Sequence, residues 1–227
     1  MPRFFADADA LLRGRLDPVA PEVFHRRIAM LMACVALFGV TYGSVMGCFG
    51  GIAPDRLLQV VYSALKVPLL LLTAFTLGLP SFFVVNTLCG LRDDFLEAVR
   101  ALAATQAGLT MILSSLAPLT ALWYLSSADY RSAVVFNGVM FAVASLSAQV
   151  LLWRFYRPLI ARHPRHRWMM LAWLAVYCFV GIQMGWILRP FIGDPNRPPE
   201  FFRADAFSEN AYVVVANLVW RVIGGGR

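Results

Sequence analysis

Two short segments hold the residues whose types and spacing could do chemistry. Asp93, Asp94 and Glu97 place carboxylates at i, i+1 and i+4, a spacing that could hold a divalent ion for reactions at a lipid headgroup. His163 and His166 form an HxxH pair among arginines, which could supply an imidazole base or a metal ligand. Each group also has a plainer reading. Acids favour the start of a helix, where its dipole is positive. A basic loop carrying histidines suits the phosphates of a membrane surface. No nucleophile or nucleotide motif accompanies either group, and Cys34, Cys48, Cys89 and Cys178 form no CxxC pair. The four cysteines read as small apolar packing residues. The sequence therefore predicts no metal, no cofactor and no catalytic residue.

Three further patterns invite recognition rather than reaction. Gly39, Gly43, Gly47 and Gly51 repeat every fourth residue, and Gly181 and Gly185 repeat the spacing later. Small residues at that interval let helices approach closely, either within one chain or between copies at an oligomer seam. Asn86, Gln106, Asn137, Gln149 and Gln183 are amides inside apolar runs. They serve as interhelical hydrogen bonds or as the lining of a polar cavity. Arg189, Pro190, Phe191 and Asp194 lie in a rigid aromatic segment, which either caps a bundle mouth or receives a partner.

The elements that must carry these residues are transmembrane helices. Apolar residues make up 59% of the 227 and charged residues 15%. A soluble domain has about 45–50% and about 25%. Uncharged runs at about 28–49, 67–89, 101–125, 133–152 and 168–188 each suffice for roughly 30 Å of hydrocarbon. The fold class is thus all-α, a polytopic bundle of about five spans with amphipathic interfacial helices. Pro80 and Pro118 should kink the second and third spans, and Lys66 should snorkel from the head of the second. Residues 57–65 and a tail helix at 209–223 read as interfacial.

The chain divides into an N-terminal segment (1–27), the bundle (28–190) and a tail (191–227). Arginine crowds one side: Arg26, Arg27, Arg92, Arg100, Arg154, Arg157, Arg162, Arg165 and Arg167. Arg56, Lys66 and Arg131 face them across the spans. This bias predicts a cytoplasmic N terminus and an extracytoplasmic tail. The net charge of +7 then serves topology and anionic lipid, and nucleic acid is not an expected partner.

The runs LKVPLLLLTAFTLGLPSFFVVN (65–86) and GIQMGWILRPFIGDP (181–195) resemble segments of uncharacterised bacterial multi-pass membrane proteins. The five-span plan with an inner N terminus and short outer tail is similar to the Yip1-type membrane domain of trafficking factors. That family's Asp-Leu-Tyr-Gly-Pro hallmark is absent, so the resemblance implies a topology, no site residues and no activity. The span cores lack Asp, Glu, Lys, Arg and His, which argues against an ion-coupled pump or a voltage sensor. The expectation is a non-enzymatic scaffold, assembly or accessory subunit of a bacterial inner-membrane complex. It would contact lipid and other membrane proteins or its own copies. A small neutral-solute permease or channel is the alternative, and a lipid-modifying enzyme the third.

Overall fold

The computed structural model describes residues 13, 21–54, 56–194, 198–203, 206–207 and 211–213. Among them every regular element is helical, and five helical stretches are long and apolar enough to cross a membrane. The chain is a multi-pass membrane protein. The predicted surface helix at 7–16 and most of the predicted tail helix at 209–223 lie outside the described residues. Of the latter, only Ala211–Val213 is described, and it is helical.

The first crossing is α1 (Pro21–Gly47) and the second α2 (Leu57–Leu88). A 3-10 turn (Arg92–Asp94) leads into α3 (Phe95–Ser115) and α4 (Ala117–Ser126), which together form the third. The fourth and fifth are α5 (Tyr130–Arg162) and α6 (His166–Leu188). Helix α1 packs against α2 and α3, α5 packs on α3, and α6 packs chiefly on α2. Most of the buried residues of α3 are small (Ala98, Ala101, Ala103, Ala104, Ala107, Gly108, Thr105 and Thr110 among them), which lets it sit at the centre.

Two predicted boundaries move outward. Residues 57–65 are not a separate interfacial helix but the first turns of α2. Residues 153–162 are not loop but the last turns of α5, leaving a turn at His163–Arg165. Hydropathy marks only the part of a helix that sits in hydrocarbon. At 32 and 33 residues, α2 and α5 are about 48–50 Å long at 1.5 Å per residue, so they project beyond it.

Proline acts differently at each site. The third crossing breaks at Leu116, so that Pro118 falls in the first turn of α4, where its missing N–H costs nothing. Helix α2 continues through Pro68 and Pro80. Pro68 is thus interior, and Gly39 makes room for its ring: a Cβ there would lie 3.1 Å from Pro68 Cβ. Gly90, at φ +73°, turns the chain after α2. Asp129 caps α5 by accepting the Ser132 N–H at 2.8 Å, and this bond holds its carboxyl below the usual range.

The bundle has two dissimilar ends. The clamp end carries the α1–α2 and α4–α5 turns and the segment after α6. The arginine end carries the α2–α3 and α5–α6 turns.

Candidate functional site

At the clamp end, a polar stripe on α2 grips the segment that follows α6. Arg56, Gln59, Ser63 and Lys66 are spaced 3, 4 and 3 apart, which keeps them within roughly 80° of one another at 100° per residue. They meet successive backbone carbonyls. Lys66 Nζ donates to the carbonyls of Pro190 at 2.7 Å and Glu200 at 3.1 Å. Ser63 Oγ donates to the Phe191 carbonyl, which also receives Gln59 Nε2 at 3.4 Å. Arg56 donates to the Gly193 carbonyl at 3.2 Å. From α5, Tyr130 donates to the Ile192 carbonyl at 3.2 Å. A loop buried against a bundle has no ladder to satisfy its carbonyls, and here side chains satisfy four in a row.

The predicted snorkelling of Lys66 is therefore wrong. Its side chain is fully buried and points into the loop, because carbonyl oxygens there replace water. The stripe is visible in the sequence as polar residues at 3-4-3 spacing heading an apolar run. Spacing alone does not reveal its role, because its partners lie 124 to 137 positions away.

The glycine ladder positions this stripe. A Cβ on Gly43 would lie 2.9 Å from Ala64 Cα, and one on Gly47 2.7 Å from Val60 Cα. Those α2 residues alternate with Gln59 and Ser63, so the close α1 contact sets where the stripe points. Gly51 is not part of the ladder. It follows the end of α1 in a left-handed turn (φ +98°), and an added Cβ there would have nothing within 4 Å. Gly181 and Gly185 are half-buried, and among the described residues no atom lies within 4 Å of an added Cβ at either.

The five amides go to different places. Asn137 is the busiest: it accepts from Tyr42 Oη at 2.9 Å and donates to Tyr124 Oη at 2.7 Å, tying α1, α4 and α5. Gln106 donates to Tyr177 Oη at 2.6 Å and to the Leu71 carbonyl at 3.3 Å, tying α3 to α6 and α2. Asn86 donates to the Leu91 carbonyl at 2.8 Å and closes the turn after α2. Gln149 reaches only the Ser145 carbonyl on its own helix, and Gln183 accepts the Ala211 N–H. Among the described residues, Asn137 and Gln106 are the two of the five that bond between helices of the bundle.

Of the loop residues, Pro190 and Phe191 act through their carbonyls. The Arg189 guanidinium lies 3.2 Å from the centre of the Trp186 ring. Asp194 lines a cavity of about 280 Å³ together with Gln59, Tyr130, Gly193, Glu200 and Arg203.

At the arginine end, the acids and one histidine do meet. Arg162 pairs with Glu97 through both guanidinium nitrogens, at 2.6 and 3.1 Å, and with Asp94 at 3.2 Å. His166 Nε2 is 3.0 Å from the other oxygen of Asp94, and its ring is fully buried. Asp93 is exposed, and the His163 ring lies 6.4 Å from that of His166. Arg165 donates to the Cys89 carbonyl at 3.3 Å and closes the turn. The two carboxylates that meet are thus engaged by cations, and among the described residues no three His, Cys, Asp or Glu side chains group as metal ligands.

No protein-family profile matches the chain, and neither does any curated protein or solved structure.

Proposed function

We propose that this multi-pass membrane protein is a non-enzymatic scaffold or accessory subunit of a bacterial inner-membrane complex, with its arginine end in the cytoplasm. One observation carries the reading: the two amides that bond between helices, Asn137 and Gln106, make separate ties on different helices. Asn137 ties three of the helices together and Gln106 ties the other three. Such bonds contribute about 0.6–2 kcal/mol each. They stabilise a bundle without opening it to solute. The paired charges at the arginine end likewise support a closed turn more than catalysis.

Helix α6 supplies a face for a partner. Among the described residues it is the least buried crossing, and Gly181 and Gly185 stand four apart on it. The test is purification in mild detergent with chemical crosslinking, comparing the wild type with a Gly181→Ile, Gly185→Ile variant. The reading expects a co-purifying partner or a homo-oligomer that the variant loses, with thermal stability unchanged. A monomer in both proteins, or an association indifferent to the variant, would contradict it. Uptake of a neutral solute by proteoliposomes would favour a permease instead.

A further inference from the structure

The fourth crossing carries charge further into the bundle than its neighbours do. Arg157 and Arg154 stand five and eight residues before Arg162 on α5. At 1.5 Å per residue that is about 7.5 and about 12 Å inward from the level where Arg162 meets Glu97. Elsewhere apolar surface reaches that level. Phe83 on α2 is 40% exposed, and its ring packs 4.9 Å from that of Phe95, two residues before Glu97. On α6, Trp168 and Leu171 are 73% and 50% exposed. The turn at His163–Arg165 sets Leu171 level with Arg157, six residues to either side of it. A bilayer that covers those apolar side chains therefore also reaches the two arginines.

Both arginines are exposed, and among the described residues neither makes a hydrogen bond or an ion pair. The Arg157 guanidinium lies 5.8 Å from the centre of the Trp153 ring. The described acids of this end lie elsewhere: Arg162 holds Asp94 and Glu97, and Asp93 sits in the turn before α3, further out. Trp153 and Arg157 end a stripe of exposed apolar residues on one face of α5, made of Val139, Leu146 and Val150. An arginine stays charged in a protein, and a charge without a counter-ion is costly where lipid surrounds it. Its planar fork matches the oxygens of a phosphate.

From this we infer that Arg154 and Arg157, backed by Trp153, form a binding site for the phosphate of an anionic phospholipid. Residues three apart on a helix have Cβ atoms about 5–6 Å apart, so both forks reach one headgroup. The acyl chains then run along Leu146 and Val150. Two cations with no acid beside them set the preference. A zwitterionic headgroup brings a cation of its own, which the arginines repel, whereas phosphatidylglycerol brings none. Arg92 and Arg167 are exposed as well, but they lie at the turns, where water solvates them. The site stands whether or not α6 carries a partner, and whichever side of the membrane the arginine end faces.

The experiment uses the full-length protein purified in mild detergent. Native mass spectrometry counts bound lipid while phosphatidylglycerol or phosphatidylcholine is titrated. The wild type should bind phosphatidylglycerol about tenfold or more tightly than phosphatidylcholine. The Arg154→Gln, Arg157→Gln variant should lose that preference. The Arg92→Gln, Arg167→Gln variant takes the same charge from the same end, and should weaken phosphatidylglycerol binding by less than about twofold. The Arg154→Lys, Arg157→Lys variant keeps the charge without the fork. It should bind phosphatidylglycerol more weakly than the wild type, and it carries the test if the glutamine variant does not fold. The inference is overturned if the wild type binds both lipids alike, if the Arg92 and Arg167 pair matters as much as the Arg154 and Arg157 pair, or if a folded variant of the site binds phosphatidylglycerol as the wild type does.

Discussion

The two ends of the bundle close their turns by opposite means. At the clamp end, half-buried Arg56 just before α2 and buried Gln59 and Lys66 on it donate to neutral carbonyls far along the chain. At the arginine end, ion pairs close the turns, and the Arg162 side chain is 51% exposed. Bonds of the first kind are short-ranged, shielded from salt and costly to break singly, because a stranded carbonyl or ammonium has no water to turn to. Exposed ion pairs are screened by salt and contribute little each. The clamp end should therefore be the rigid one, and the arginine end the one that responds to ionic conditions.

The largest effect should come from the ladder beneath the clamp. In Gly43→Ile the new side chain would strike the α2 backbone beside Ser63 and Ala64. Overpacking of this kind costs about 1–3 kcal/mol and more for a branched side chain. Thermal unfolding in detergent should show a large loss of stability. A near-neutral result would mean that α1 and α2 are not in close contact. Next comes Lys66→Met, which removes two charge-assisted bonds and should cost about 2–3 kcal/mol by the same assay. Smallest is Arg162→Gln, at about 0.2–1 kcal/mol. Its cost should shrink further in molar salt, while that of Lys66→Met stays constant. Equal salt dependence for both variants would break the contrast between the ends.

Much of the frame was legible in the sequence. Uncharged runs located all five crossings because lipid leaves few alternatives to an apolar helix. Pro118 marked the break in the third crossing. The helix ends were not legible. Once a helix leaves the hydrocarbon its residues turn polar, as at Arg154 and Arg157, and hydropathy reads them as loop. The meeting of Asp94 and Glu97 with Arg162 and His166 was foreseeable only as a shared side of the membrane, because pairing depends on which helices become neighbours. The clamp was hidden for a further reason. Its acceptors are backbone carbonyls, present at every residue, so nothing in the identities of residues 190–193 announces that four will be bonded by side chains. Only the donors are written in the sequence, and Gly39, Gly43 and Gly47 hint at them by requiring a close neighbour on one side.

The contrast between the ends depends most heavily on Lys66 closing the clamp. Ile192 lies inside it and is buried. A cysteine placed there by Ile192→Cys, with Cys34, Cys48, Cys89 and Cys178 replaced by serine or alanine, reports how often the segment opens. The measurement is its rate of labelling by a water-soluble maleimide, with Lys66 intact and with Lys66→Met. The clamp predicts slow labelling that salt does not change, and a rise of about tenfold or more in the Lys66→Met protein. Equal rates in the two proteins would show that the segment is held by something other than the α2 stripe.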